Sequence, residues 1–167
     1  LQQKLNASDA ASTDGFGGAV ALVSDTALVG ADAADVGGKT DAGAAYVFGR
    51  TGMTWAQLQK LSPSVSTVGE AFGTSVALAS GGSGALIGAD GNAAGGAAYV
   101  FGKSGMTWSL QQQLMSPLVG ADGNFGRGVA IDGDNAMVGA PFSNLPGKPA
   151  SGVAISFTLG MTKGNGQ

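Results

Sequence analysis

The chain has 167 residues and a net charge of −3, and it contains neither histidine nor cysteine. Eight scattered Lys and Arg residues form no basic stripe for nucleic acid, and without histidine or cysteine there is no conventional Ser-His triad and no disulfide framework. The apolar runs are far shorter than the roughly 20 residues of a membrane-spanning helix, so no membrane span is predicted.

A stretch of the sequence recurs along the chain. Residues 44–55 return almost unchanged at residues 97–108 and in decayed form from Val153, at intervals of 53 and 56 residues. A fixed period of this size indicates a repeat architecture whose units are too small to bury a core alone and must pack on one another. The three repeats are placed at residues 1–56, 57–109 and 110–167.

Within each repeat, the first predicted strand follows a Phe-Gly pair. Val and Leu or Ile alternate with Ala, which is the two-residue period of a strand with one branched face. A short turn of Ser, Asp or Gly follows and favours a hairpin. The first strands are predicted at residues 19–23, 75–79 and 128–131, and the turns at residues 24–25, 81–84 and 133–134.

Three more strands are predicted in each repeat. The second ends in Gly-Ala, the third is Ala-Ala-Tyr-Val-Phe or its decayed copy, and the fourth is Gln-rich, which is typical of an exposed outer strand. No segment has a sustained helical period with caps, so the chain is predicted to be all-β. Small residues in the innermost strand are predicted to let neighbouring sheets approach closely. The second strands are placed at residues 27–31, 85–89 and 136–140, the third at 44–48, 97–101 and 153–157, and the fourth at 55–61 and 108–114.

The order of these segments resembles a known repeat. The order is Phe-Gly, then residues 129–141, then Gly-x-Ala-x-x-Phe, then Trp-x-x-Gln-x-x-Leu. This order is similar to that of the FG-GAP repeat in its bacterial form, the blade unit of integrin-type β-propellers. The resemblance covers essentially the whole chain in three copies. It implies a β-propeller made of four-stranded antiparallel blades, and it implies no chemistry, because propellers host many functions.

Calcium-binding members of that family carry an Asp-x-Asp-x-Asp-Gly type of loop between the first two strands. Here this loop keeps only Asp25 in the first repeat, no acid in the second, and Asp132 and Asp134 in the third. A hard cation takes six to eight oxygen ligands, so no metal site and no cofactor are predicted, and whether calcium binds elsewhere stays open. Asp132 and Asp134 are interpreted as hairpin-turn residues.

An acidic residue precedes each Phe-Gly pair, as Asp14, Glu70 and Asp122. On one face of a propeller these acids could line an oxygen-rich ligand site, but the favoured interpretation is that they hold the loop into the first strand. Asn6 begins an N-glycosylation acceptor pattern, a short motif that arises often by chance.

The aromatic and methionine side chains of the repeats have two interpretations. Exposed Trp and Tyr would suit stacking on sugars, but inter-blade packing is favoured, and the methionines are predicted to fill gaps at the blade edges. The residues concerned are Trp55, Trp108, Tyr46 and Tyr99, and Met53, Met106 and Met161.

The two ends of the sequence complement each other. Residues Leu1, Gln2, Gln3, Lys4 and Leu5 align with the outer strands at 57–61 and 110–114, whereas the third repeat has Lys163 in place of Trp and no outer strand after it. The N-terminal strand is therefore predicted to complete the third blade of a neighbouring chain, giving a ring or a filament. The alternative is that the chain is a fragment of a longer propeller.

The leading hypothesis is a non-catalytic, extracellular or cell-surface structural or adhesion module that self-associates head to tail. It depends on the repeat, the split outer strand, the lack of histidine and cysteine, and a charged content of 11% against the usual quarter or so. The competing hypothesis is a lectin-like propeller that binds a glycan or protein ligand through loops on one face.

Overall fold

The computed structural model describes residues 2–117 and 123–160, which form eleven strands and one short 3₁₀ turn at Ser80–Gly82. The all-β prediction is confirmed, and the third strand runs three residues further than the sequence pattern indicates in the first two repeats and one residue further in the last. The strands are β1 Val20–Val23, β2 Thr26–Ala31, β3 Ala44–Thr51, β4 Thr54–Leu61, β5 Phe72–Leu78, β6 Gly84–Ala89, β7 Ala97–Ser104, β8 Thr107–Met115, β9 Gly128–Asp132, β10 Asn135–Ala140 and β11 Val153–Thr158.

The strands form three antiparallel sheets in sequence order, which we call the first, second and third blades. The first is β1-β2-β3-β4 and the second β5-β6-β7-β8, whereas the third has only β9-β10-β11 among the described residues. This is the blade arrangement predicted for a β-propeller. Residues 161–167, including Lys163, lie outside the described part of the chain.

The first and second strands of each blade are joined by a short loop. The loop between β1 and β2 is Ser24 and Asp25, with Ser24 at a φ of 51°, and the loop between β9 and β10 is Gly133 and Asp134, with Gly133 at 52°. Both loops have the positive φ that tight two-residue hairpins need. The second blade differs, because the Gly-rich segment between β5 and β6 forms the 3₁₀ turn rather than a tight hairpin.

Neighbouring blades pack face to face. One buried cluster joins the first and second blades and contains Leu28 and Val47 on one side and Ile87 and Trp108 on the other. A second cluster joins the second and third blades, and a third lies on the opposite side of the first blade, against the N-terminal segment. The core is therefore divided between the blade interfaces, as expected for units that cannot fold alone.

Glycines set how closely the blades approach. A Cβ on Gly30 of β2 would lie 2.0 Å from the carbonyl oxygen of Gly73 in the second blade, and a Cβ on Gly88 of β6 would lie 1.9 Å from that of Gly126 in the third. No side chain fits in either place. The prediction of close approach through small residues is thus confirmed, but the critical glycines belong to the second strand and to the Phe-Gly pairs.

Backbone hydrogen bonds fix the register between blades. The amide N–H of Phe72 donates to the carbonyl of Ala42 at 3.0 Å, and that of Phe125 donates to Gly95 at 3.0 Å. Each phenylalanine ring then packs inside its own blade, as Phe72 does against Tyr99 with ring centroids 5.3 Å apart. The Phe-Gly pair therefore joins the preceding blade through its backbone and its own blade through its ring.

Candidate functional site

The N-terminal segment lies beside the first blade and is held by side-chain contacts. Gln3 Nε2 donates to the carbonyl of Trp55 at 2.8 Å, and the Trp55 N–H donates to Gln3 Oε1 at 2.8 Å. Gln59 of β4 makes the same pair of bonds to Trp108 of β8, at 2.7 and 2.8 Å. Residues 2–5 therefore occupy the position that an outer strand takes relative to the following blade.

Other contacts attach the same segment. Gln2 Nε2 donates to the carbonyl of Met53 at 3.2 Å, and Leu5 packs half-buried against the cluster on the free side of the first blade. The segment pairs with none of the described strands through a backbone ladder. Its backbone edge is therefore available, and Leu1 of the same predicted strand lies outside the described residues.

The edge of β11 is open over the described residues. In the first two blades the third strand is flanked by an outer strand, with Ala45 opposite Leu61 and Ala98 opposite Leu114. Ala154 of β11 has the same position in the third blade. Among the described strands, β11 pairs only with β10. An added strand would meet unpaired backbone groups along β11.

The free face of the first blade is apolar. Val20 and Leu22 of β1 are 70% and 65% exposed, whereas Leu78, at the position of Leu22 in the second blade, is 8% exposed and packed on the preceding blade. Ile131 of the third blade likewise packs on the second. The first blade thus presents the surface that its neighbours use to contact a preceding blade.

The free face of the third blade is the complement of that surface. Met137, at the position of the buried Leu28 and Leu86, is 52% exposed. Gly139, at the position of Gly30 and Gly88, would place a Cβ no closer than 3.6 Å to any neighbouring atom. The glycine is therefore present without the close contact that requires it in the other two blades.

Two of the acids before the Phe-Gly pairs, Asp14 and Glu70, are buried. The Ala11 N–H donates to Asp14 Oδ2 at 2.8 Å, and the Thr67 N–H donates to Glu70 Oε2 at 3.0 Å. Both acids hold the backbone three residues upstream, so the loop-holding interpretation is confirmed for these two. Asp122 lies outside the described residues.

The hairpin interpretation of Asp132 and Asp134 is also confirmed. Asp132 ends β9, Asp134 belongs to the two-residue loop, and Asp132 Oδ1 accepts a hydrogen bond from Ser80 Oγ of the second blade at 2.9 Å. Within residues 2–117 and 123–160, no group of three or more acidic, His or Cys side chains is arranged to hold a metal ion.

Most of the aromatic residues are packing residues, as favoured. Tyr46, Tyr99 and Trp108 are buried, and Trp55 is half-buried against the cluster beside the N-terminal segment. The buried rings of the first three cannot stack on a sugar at the surface.

The prediction for the methionines is wrong for the two that are described. Met53 and Met106 are 77% and 73% exposed, because each lies in the two-residue turn of the hairpin between the third and fourth strands and its side chain points to solvent. Met161 lies outside the described residues. Asn6 is exposed, and the hydroxyl of Ser8 in its acceptor pattern receives a hydrogen bond from Gln57 Nε2 at 3.0 Å; its glycosylation stays a prediction.

Comparison with family models matches the chain three times, at residues 1–48, 55–101 and 108–155, each time to the FG-GAP repeat. The chain belongs to the FG-GAP repeat family. Each FG-GAP segment from residue 55 onward begins in an outer strand and ends in the third strand of the next blade, and the first segment places residues 2–5 in the same outer-strand position.

FG-GAP repeats are integrin-like propeller modules, typically extracellular and non-catalytic. A search of curated proteins finds no match to the chain. No helix in the described part of the chain is long and apolar enough to cross a membrane.

Proposed function

We propose that this FG-GAP protein is a non-catalytic, extracellular structural or adhesion module that joins copies of itself head to tail. The observation that carries the proposal is the pair of complementary, unoccupied blade surfaces at the two sides of the array. Val20 and Leu22 form one surface, and Met137 and Gly139 form the other.

The joint between copies is inferred from the two joints inside the chain. In both internal joints, a second-strand glycine receives the carbonyl of a Phe-Gly glycine from the next blade. The same relation would place Gly17 of one copy over Gly139 of another, and Val20 and Leu22 against Met137. Burying these apolar side chains supplies the driving force for association.

Strand exchange completes this joint. Residues 2–5 are held against their own first blade by Gln3, and docking that blade on the third blade of another copy brings the segment beside the open edge of β11. The segment then becomes the fourth strand of the neighbour's third blade, a case of strand addition. If the rotation from one copy to the next closes on itself, the copies form a ring, such as six blades from two chains. If it does not close, they form a filament.

Analytical ultracentrifugation of three proteins tests the proposal. Wild type is expected to sediment as multiples of the 16.1 kDa chain. A Val20→Thr/Leu22→Thr variant and a variant lacking residues 1–5 are expected to remain monomeric. The matched control is Met106→Ser, which removes an equally exposed apolar side chain from a hairpin turn of the second blade, outside the proposed joint, and should assemble as wild type does.

Two results would contradict the proposal. One is a wild-type protein that stays monomeric at all concentrations, which would favour a blade surface covered by further repeats of a longer chain. The other is assembly that survives loss of residues 1–5, which would rule out strand exchange as its mechanism.

A further inference from the structure

A ladder of backbone hydrogen bonds joins two loops where the second blade meets the first. The N–H groups of Gly69, Ala71 and Phe72 donate to three successive carbonyls of the loop between β2 and β3. The acceptors are Thr40, Asp41 and Ala42, at 2.9, 3.1 and 3.0 Å. We call the loop before a Phe-Gly pair the donor loop, and the loop between the second and third strands of a blade the acceptor loop.

The third blade carries a second copy of this acceptor loop, at residues 142–151. Asp41 and Ala150 occupy the same position in the two loops and have left-handed φ values of 51° and 50°. In each loop one side-chain oxygen accepts from the N–H of that residue, Asp35 Oδ1 at 3.0 Å and Asn144 Oδ1 at 2.7 Å. Residues other than glycine rarely take this φ, and the side-chain hydrogen bond stabilises it in both loops.

The acceptor loop of the third blade has its carbonyls unoccupied. Those of Pro149, Ala150 and Ser151 accept from none of the described residues. Ser151 is exposed, whereas Ala42, at the same position in the first blade, is fully buried. Pro149 in place of Thr40 is compatible with docking, because this position contributes only a carbonyl, which proline retains.

The first blade carries a donor loop that is docked on none of the described acceptor loops. Thr13 and Gly15 both have a φ of 72°. Their counterparts in the docked loop, Gly69 and Ala71, have φ values of 68° and 56°. The N–H groups of Thr13, Gly15 and Phe16 donate to none of the described residues. This loop therefore has the docked backbone conformation at these positions without the hydrogen bonds.

Burial and close approach distinguish the occupied loops from the free ones. Phe72 of the docked donor loop is fully buried, whereas Phe16 is half-buried. A Cβ on Gly43, at the end of the occupied acceptor loop, would lie 2.2 Å from the carbonyl oxygen of Phe72. A Cβ on Gly152, at the same place in the third blade, would lie 2.7 Å from the carbonyl oxygen of Pro141 in its own loop. The third blade thus keeps this glycine, and no described donor loop contacts it.

We propose that the free donor loop of one copy docks on the free acceptor loop of another. The N–H groups of Thr13, Gly15 and Phe16 then donate to the carbonyls of residues 149–151, as in the joint between the first and second blades. This proposal rests on the head-to-tail assembly proposed above and adds a contact separate from the β11 edge.

The loops also determine which ends can join. Among the described residues, the unoccupied donor loop lies on the first blade and the unoccupied acceptor loop on the third. Two first blades offer each other only N–H groups at these positions, and two third blades offer only carbonyls. Neither pair forms the ladder, so the ladder selects a heterologous, head-to-tail joint over an isologous one.

A side chain outside the ladder allows the acceptor loop to be tested. Asn144→Ala removes the acceptor for the Ala150 N–H and releases the loop from its left-handed conformation. Sedimentation of the full chain should show assembly weakened by about tenfold or more, because hydrogen bonds at the joint are lost. The melting temperature, at a concentration where the chain is monomeric, should stay close to that of wild type.

Three further variants complete the experiment. Asn144→Asp keeps the oxygen acceptor, as Asp35 does in the first blade, and should assemble as wild type does. Asp35→Ala makes the alanine change in the occupied loop and should lower the melting temperature, because that ladder lies inside the chain. Replacing residues 142–151 with residues 91–95, the shorter loop of the second blade, should weaken assembly and decides the matter if Asn144→Ala leaves the loop conformation unchanged.

Sedimentation separates the failure of loop docking from the failure of assembly. If wild type assembles, and Asn144→Ala and the loop replacement assemble equally well, loop docking is overturned and head-to-tail assembly stands. Loss of assembly in Asn144→Asp as well as in Asn144→Ala also overturns loop docking, because Asn144→Asp retains the acceptor oxygen. A wild type that stays monomeric overturns both proposals.

Discussion

The same change at two equivalent glycines is expected to have opposite effects. Gly88 and Gly139 occupy the same position in the second and third blades. In Gly88→Ala, the new Cβ would lie 1.9 Å from the carbonyl oxygen of Gly126 and 2.3 Å from Ser75 Oγ. In Gly139→Ala, the nearest atom is 3.6 Å away, which is an ordinary van der Waals contact.

The magnitudes follow from these distances. Gly88→Ala forces the second and third blades apart, at about 1–3 kcal/mol for overpacking. It also disturbs the 2.7 Å hydrogen bond from Ser75 Oγ to Gly126, at about 1 kcal/mol. Alanine has fewer unfolded conformations than glycine, which stabilises the folded chain by about 0.4–1 kcal/mol. The free energy of unfolding should therefore fall by about 2–3 kcal/mol in Gly88→Ala and rise by about 0.5 kcal/mol in Gly139→Ala.

Urea unfolding at low protein concentration, followed by tryptophan fluorescence, measures both values. In melting temperature the expected changes are a fall of about 4–12 °C for Gly88→Ala and a rise of about 1–2 °C for Gly139→Ala. At high concentration Gly139→Ala should also weaken assembly, because the proposed joint places the Phe-Gly glycine of another copy over it. Equal stabilities for the two variants would refute the reasoning from inter-blade contact.

Three further predictions concern the joints and the buried Tyr99 side chain. Phe72→Ala should destabilise the chain by about 3–5 kcal/mol and Phe16→Ala by about half as much, because Phe72 is fully buried and Phe16 half-buried. Gln59→Ala removes both side-chain bonds to the Trp108 backbone and should cost about 1–3 kcal/mol in chemical denaturation. Burial and the hydrogen bond to a carboxylate raise the pKa of Tyr99, so stability should be fully present below pH about 10, where unfolded tyrosine titrates, and should fall as the pH rises further.

Each of these predictions has a result that contradicts it. Equal losses for the two phenylalanine variants would mean that burial does not set their contributions. A Gln59→Ala protein as stable as wild type would show that the side-chain bonds between blades are replaced by water. A wild-type stability that stays constant or rises between pH 9.5 and 11, or a Tyr99→Phe variant with the same slope as wild type, would contradict the assigned pKa shift.

The strands were predictable because local pattern decides them. Alternating Val and Ala at residues 19–23 and the Ser-Asp turn after them are short-range signals. The repeat shows a strand and turn of this kind three times along the chain. The methionines of the Gly-Met turns were misassigned, because an apolar residue in a tight hairpin has no neighbouring blade to pack on. Their place in a two-residue turn was visible in the sequence and is the signal that would have corrected the prediction.

The contacts between blades required the structure. Gln3 and Gln59 align in the sequence, but the pattern does not show that each binds the backbone of the next blade's Trp. The buried network of the second blade also depends on residues far apart in the chain, because Glu70 accepts hydrogen bonds from Asn92 and from the Tyr99 hydroxyl.

Head-to-tail strand exchange is tested most directly by a disulfide placed across the proposed joint. Tyr46 lies opposite Lys60 and Tyr99 opposite Gln113, so Lys4 of one copy should lie opposite Ile155 of another, at a distance that a disulfide can span. The chain contains no cysteine, so a Lys4→Cys/Ile155→Cys variant reports on this pair alone. Oxidation of this variant is expected to give disulfide-linked oligomers, measured by mass spectrometry under non-reducing conditions. The off-register variant Lys4→Cys/Thr158→Cys is expected to give few linked oligomers. Monomers from both variants, or equal linkage in both, would contradict the exchange of the N-terminal strand.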